Sequence, residues 1–308
     1  MGIVEEWHAD IQITEELVRS CLQEQFPALM PIKEVKCLGE GWDNKSYLIN
    51  NEIIFRFPRR KASVELLEQE NRILNSLPAF FPIEIPHLKY IGYPTSRYPY
   101  PYHGYPLIKG VSAYQAQLSE QERLASLPIL ANFLKKLHSL NEKQALTLGA
   151  KLQVFNKDTV NKTIDILREQ VTKIRDKWFH VNNDCFAQEL EIVQKLAIPY
   201  EDKCFVHADL DCRHLIFNEK KLVGIIDWGD MGIDNRAIDL AIIWIFYPNN
   251  CHEQFFEIYG KVDPATWQYA RFIGLYSAFT LLIYGLDISD ALLVKDAIAT
   301  IKKLNPNM

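Results

Sequence analysis

Apolar and polar positions divide the chain into an early stretch of short strands and a later stretch of long helices. Residues 14–25 carry Leu17, Val18, Cys21 and Leu22 at the spacing of one helix face. A strand pattern begins at 35–38 and breaks at Gly39-Glu40-Gly41-Trp42-Asp43-Asn44-Lys45. It resumes over 46–49, turns at Asn50-Asn51 and runs on through 52–57. Residues 64–77 return to helical spacing, with Leu66, Leu67, Ile73, Leu74 and Leu77 apolar and Glu70 inside the stripe. A carboxylate on a buried face needs a partner, and Arg56 in the third strand is the best placed; the alternative is that Glu70 reaches solvent at the stripe edge. From Pro78 to Pro106 the chain is rich in Pro and Tyr, with short strands predicted at 88–91 and 105–108.

The second half reads as helices around one strand-rich segment. Ser119-Glu120-Gln121-Glu122 is a capping box for a helix to about Leu140, with Leu127, Leu130, Leu134 and Leu137 on its buried side. Pro128 either kinks that helix or marks a fresh start at Ser126. Amphipathic helices follow over 157–179 (Ile164, Ile166, Leu167, Val171 and Ile174) and 184–197. Residues 251–304 are helical, and most of Trp267, Tyr269, Phe272, Tyr276, Phe279 and Tyr284 belong in a core.

The strand-rich segment, 205–229, reads FVHADLDCRHLIFNEKKLVGIIDWG. Leu215-Ile216-Phe217, the polar Asn218-Glu219-Lys220-Lys221 and the apolar 222–226 form a hairpin signal. The residues flanking a hairpin meet at its open end, so His214 and Asp227 should lie side by side, with Asp209 nearby. Such a pair can hold a divalent cation and leave Asp209 free to accept a proton from a substrate hydroxyl, while the metal neutralises a transferring phosphate. Two other readings stand beside this one. In one, His207, Asp209 and His214 form a structural zinc cluster, which no cysteine pair supports and for which Cys212 alone is a poor fourth ligand. In the other they are satisfied polar groups of an ordinary turn.

His207-Ala208-Asp209 followed by Asp227-Trp228-Gly229 resembles the H-x-D and D-x-G elements of kinases, with His214 in the place of the usual Asn. The Ala after His207 and the Ile-Asp-Trp before Gly229 resemble the aminoglycoside and macrolide phosphotransferase family more than protein kinases. The resemblance implies an α+β, protein-kinase-like, two-lobe fold. A small antiparallel-sheet lobe, 1–108, would bind nucleotide, and a larger helical lobe, 109–308, would carry catalysis and substrate. It implies Asp209 as base, His207 as its brace, and Mg2+ on His214 and Asp227, imidazole being a softer ligand than an amide. It places Gly39, Gly41 and Ser46 over the phosphates, Arg56 with Glu70 in the role of the kinase lysine–glutamate pair, and Leu107, Ile108 and Lys109 along the purine edge. Arg59, Arg60 and Lys61 are alternative cations. Asp239 looks like the aspartate that braces the catalytic loop, and Asp211, Asp230 and Asp234 are substrate-side candidates.

Composition narrows the partners. The 308 residues are 48% hydrophobic and 24% charged, which is ordinary for a globular protein of about two lobes. A net charge of −5 without a basic block speaks against nucleic acid and suits a cationic small molecule. Six cysteines without C-x-x-C spacing read as reduced thiols of a cytoplasmic protein. The polar N-terminus is unlike a signal peptide, and the longest apolar run, 272–286, reads as a buried helix too short to cross a bilayer. The expected activity is transfer of the γ-phosphate of ATP or GTP to a hydroxyl of a small molecule by a monomer. An aminoglycoside is favoured because Gly-Glu-Gly-Trp-Asp and Ile-Phe-Arg-Phe-Pro-Arg look like that branch. The alternatives are a macrolide, an amino alcohol or sugar, or a nucleotide-binding pseudokinase module.

Overall fold

The first helix forms where Thr14 can cap it: its hydroxyl accepts from the Leu17 amide and α1 runs over Glu15–Gln25. The structure, a computed structural model, describes residues 9–41, 43–77, 80–175 and 183–306. Trp42, Pro78 and the predicted helix end at 176–179 lie outside the described residues.

After α1 come β1 (Val35–Glu40), β2 (Asn44–Ile49), β3 (Ile53–Pro58), α2 (Val64–Ile73), β4 (Tyr90–Gly92) and β5 (Tyr102–Pro106). The five strands form one antiparallel sheet in the order β1-β2-β3-β5-β4. Strand alternation assigns its faces. Tyr47, Ile49, Phe55 and Phe57 pack with Val18, Cys21 and Leu22 of α1 in one core. Leu48, Ile54 and Tyr105 join Ile73 of α2 and the later helices in another. Arg56 falls between Phe55 and Phe57, so it points away from the aromatic core.

Several boundaries differ from the sequence expectation. Gly39 belongs to β1, and the loop shrinks to 41–43, closed by a bond from the Gly41 amide to the Asn44 carbonyl. The expected strands at 88–91 and 105–108 are displaced to β4 and β5. Gly104 lets the Phe55 ring cover β5, since a Cβ there would lie 2.6 Å from it, and the side-chain packing that sets this register is not encoded locally. Helix α2 gives way to a 3-10 turn at Leu74–Ser76.

The second half contains β6 (Val111–Ser112), α3 (Ala113–Ala116), α4 (Glu120–Leu137), α5 (Glu142–Thr147), α6 (Lys157–Arg175) and α7 (Asn183–Lys195). Then follow β7 (Lys203–Val206), β8 (Leu215–Asn218), β9 (Lys221–Ile225), β10 (Gly232–Asn235), α8 (Ala237–Phe246), α9 (His252–Tyr259), α10 (Pro264–Asp287) and α11 (Ala291–Leu304). Both arms of the Ser119–Glu122 capping box form, and α4 runs unbroken past Pro128, so there is no fresh start at Ser126. Leu127, Leu130, Leu134 and Leu137 are fully buried. On α6, Ile166 is exposed while Ile164, Leu167, Val171 and Ile174 are buried. Helix α5, with its own Asn141–Gln144 capping box, and strands β6 and β10 were not foreseen.

The apolar run at 272–286 is the core of α10, whose 24 residues reach a length and hydropathy that a membrane crossing requires. That corrects the expected length limit. The helix packs on α8, α11 and α6 and buries Phe272, Leu275, Phe279 and Leu282.

Two small sheets carry the site. β8 and β9 form the predicted hairpin, closed by Glu219-Lys220, both in left-handed backbone as a two-residue hairpin turn requires. β7 pairs with β10 and β8 with β9, so the loop between β7 and β8 is held at both ends.

Candidate active site

The β7–β8 loop and the end of β9 bring His207, Asp209, Asp211, His214 and Asp227 together. His214 stands between two carboxylates: its Nδ1 lies 3.5 Å from Asp209 Oδ2, and its Nε2 lies 3.6 Å from Asp227 Oδ2. The same Nδ1 donates to the Asp209 backbone carbonyl at 2.7 Å. The ring is buried, whereas the carboxylates of Asp209 and Asp227 are about 40% exposed, at 42% and 41%. Ala208 and Asp227 both hold left-handed backbone, with φ of 69° and 64°, strain that only a well-braced loop sustains.

The brace is Asp239 at the start of α8. It is fully buried and accepts from the amides of His207 at 2.9 Å and Ala208 at 2.8 Å. It also meets His138 Nε2 at 3.0 Å, and His138 Nδ1 meets the Tyr259 hydroxyl at 2.7 Å. Sequence reasoning gave His138 and Tyr259 no part in the site. A Leu-His pair on a buried helix stripe was the available signal, but its partner is 101 residues away.

His207 is in bonds on both ring nitrogens. Nδ1 accepts from the Asp209 amide at 3.2 Å and Nε2 donates to the Ile226 carbonyl at 3.0 Å. Burial pushes its pKa down to about 4, so the ring is neutral. Neither nitrogen is left for a metal, which removes the zinc-cluster reading. Asp209, Asp211 and His214 do have ligand atoms within 4.8 Å of one another. Asp211, however, has both oxygens engaged: Oδ1 accepts from the Arg213 amide at 2.6 Å and Oδ2 from the Arg213 guanidinium at 2.8 Å. Both oxygens of this substrate-side candidate are thus committed to shaping the loop.

Across the cleft, Arg56 binds both oxygens of Glu70, at 2.9 and 2.8 Å, through Nη1. Its Nη2 donates to Asp227 Oδ1 at 2.6 Å. Glu70 is fully buried, which rules out the solvent-reaching alternative. The arginine fork does what a lysine cannot: one planar group ties α2, β3 and the end of β9 together. Arg59 and Arg60, the alternative cations, are engaged with the β1–β2 loop. Arg59 binds Glu40 and the Gly41 carbonyl, and Arg60 binds Asp43, so both hold the β1–β2 loop. Ser46 is the cross-strand partner of both Gly39 and Arg56. A Cβ on Gly39 would meet nothing within 4 Å, so the space beside it is open.

The charges set the titration. Desolvation raises Asp209 to about 7, opposed by His214 and helped by Asp211 and Asp227. Desolvation also opposes the Asp227 charge, but Arg56 and His214 hold its carboxyl well below the usual range. His214 is raised to about 9, its burial outweighed by Asp211, Asp209 and Asp227. Burial pushes Glu70 up to about 7 against the pull of Arg56. Asp230 is exposed beside the cleft, and partial desolvation with the charges of Asp227 and Asp43 raises it to about 6.

Two of the expected site residues have other partners. Asp234 sits on β10 opposite Cys204, with Asp239 and Lys203 as its charged neighbours, so it is not gathered with Asp209 and Asp227. The Leu107 amide donates to the Glu52 carbonyl at 2.7 Å. The amides of Ile108 and Lys109 carry no hydrogen bond among the described residues. Gly110 closes this connector at φ 150°, against the Phe217 carbonyl.

A small antiparallel lobe over a helical lobe, with paired carboxylates where they meet, defines the protein-kinase-like class. The chain belongs to the phosphotransferase enzyme family, whose model matches residues 34–273. It is 30% identical over 170 residues to an aminoglycoside 3'-phosphotransferase of Escherichia coli, covering 51% of this chain and 58% of the relative. It is 30% identical over 146 residues to one of Salmonella typhimurium, covering 44% and 49%. The chain thus spans about half the length of these curated relatives. The fold matches a solved GDP and kanamycin complex of an APH(2") enzyme at TM-score 0.71 and 23% identity, covering 94% of this chain and 98% of the other. It also matches macrolide 2'-phosphotransferase MphH from Brachybacterium faecium at TM-score 0.59 and 16% identity, covering 89% and 92%.

Proposed function

We propose that the protein transfers the γ-phosphoryl group of ATP or GTP to a hydroxyl of an aminoglycoside. The observation that carries this reading is His214 set between Asp209 and Asp227, with Arg56 joining Asp227 to Glu70. Asp209 accepts the proton of the attacking hydroxyl; a carboxyl raised to about 7 is a competent base near neutral pH. His207 and Asp239 fix the backbone on which Asp209 stands. Arg56 faces the phosphates, oriented by Glu70, under the loop of Gly41 and beside Ser46.

Asp227 Oδ2 and His214 Nε2, 3.6 Å apart, fit two donors of one divalent cation. When bound, Mg2+ neutralises phosphate oxygens. We place the lobe boundary at 108, with Ile108 and Lys109 amides open to a purine edge. The curated relatives are named aminoglycoside 3'-phosphotransferases, and exposed Asp230 with the net charge of −5 suits a polycation. The test is phosphate transfer with ATP and with GTP across a panel of aminoglycosides and macrolides. Turnover confined to aminoglycosides supports the proposal; turnover on macrolides alone, or on neither, overturns it.

A further inference from the structure

We infer that Arg213 is a further catalytic residue, a cation that Asp211 holds against the γ-phosphoryl group as it transfers. This rests on the phosphotransfer reading and adds a group to that same site. Arg213 is the only Arg or Lys between Lys203 and Lys220. Its Nε donates to Asp211 Oδ2 at 2.8 Å and its Nη2 to the same oxygen, while its amide donates to Asp211 Oδ1 at 2.6 Å. Side chain and backbone of Arg213 thus close on one carboxylate, which fixes the guanidinium. Nη1 carries no hydrogen bond among the described residues. The Asp211 side chain is 8% exposed and that of Arg213 33%, so the pair is anchored at its acidic end and open at its basic end.

Asp209, Asp211 and His214 place side-chain polar atoms within 4.8 Å of one another, so the guanidinium bonded to Asp211 stands beside the base. Burial opposes its charge, and Asp211 and then Asp209 restore it. Neighbouring cations already have partners: Arg56 is shared by Glu70 and Asp227, and Arg59 and Arg60 hold the β1–β2 loop. Stability does not account for the Asp211–Arg213 pair, since desolvation offsets the attraction between buried charges. In the transfer, the acceptor oxygen bonds to the γ-phosphorus as the bond from that phosphorus to the β–γ bridging oxygen breaks. The electron pair of the broken bond leaves with the nucleoside diphosphate, and the hydroxyl proton passes to Asp209. Negative charge then spreads over the equatorial oxygens of the phosphoryl group, and Nη1 donates to one of them. Arg213 itself gains and loses no proton.

The test is steady-state transfer by wild type, Arg213→Met, Asp211→Asn and the double variant. Transfer to water is followed beside transfer to aminoglycosides, and nucleotide Kd is measured for each protein. Arg213→Met is expected to lower kcat by about 10²-fold, with nucleotide Kd within about threefold of wild type. An arginine that only neutralised Asp211 would be dispensable once residue 211 is neutral. Adding Arg213→Met to Asp211→Asn is therefore the deciding step: it is expected to cost a further factor of about ten or more in kcat, and a smaller cost overturns the inference. That comparison stands even where Arg213→Met alone, with Asp211 left buried and unpaired, does not fold. A rise in nucleotide Kd that accounts for the whole loss in kcat/KM also overturns it. If wild type transfers phosphate to water or to a macrolide but to no aminoglycoside, the proposed acceptor fails and the comparison is read on that transfer. No transfer to any of them overturns both.

Discussion

At the scale of single residues, one imidazole, His214, stands between the carboxylates of Asp209 and Asp227. Asp209→Asn keeps the shape of the loop and removes the proposed base. Turnover is expected to fall by about 10³-fold or more, with the nucleotide Kd within about twofold of wild type. Steady-state kinetics and nucleotide titration check this, and near-normal turnover would remove Asp209 from its role. Arg56 is a second such residue. Arg56→Ala leaves Glu70 buried without its partner, and about 3–5 kcal/mol of stability should be lost in urea unfolding. Arg56→Lys keeps the charge without the fork, so it should recover part of that loss and not all of it. Equal stability for the two variants would show that the charge alone matters.

At the scale of elements, short-range chain geometry does most of the work. The β8–β9 hairpin sets Asp227 beside His214 because its ends must meet. α4 begins where Ser119 and Glu122 cap each other's amides. Ser119→Ala should cost about 1 kcal/mol. A urea midpoint unchanged from wild type would mean that packing of the leucine stripe alone fixes this helix end. These elements were legible in the sequence because their signals span a few residues. β5 was not, since its register follows the Phe55 ring lying over Gly104. The passage of α4 through Pro128 was not either, because burial of its leucines outweighs the break that a proline signals.

At the scale of the whole molecule, buried neutral histidines link folding to pH. Burial and the Arg56 charge hold His103 well below its ordinary 6.5, and burial holds His207 at about 4. Both are depressed in the folded state, so the unfolded chain binds more protons below about pH 6.5. Their contribution to stability is full above that pH and is lost as pH falls towards 4. Asp209 and Glu70, raised to about 7 in the folded chain, act in the opposite sense over the same range, so the contribution is read as a difference: the stability advantage of wild type over His103→Gln in urea unfolding should shrink from pH 7.5 to 5. An advantage that does not change with pH would show that His103 is not one of the groups responsible.

The sequence by itself determined the helical and strand periods, the hairpin that joins His214 to Asp227, and the need of Glu70 for a partner such as Arg56. Each depends on spacing within an element or on the cost of burying one charge. Only the tertiary structure decided that Arg56 also reaches Asp227, 171 residues further on. It likewise decided that Tyr259 and His138 stand behind Asp239, that Asp211 belongs to Arg213, and that the Leu107 amide is already bonded. Those contacts come from how the sheet and helices pack across the cleft, and no local period encodes that packing.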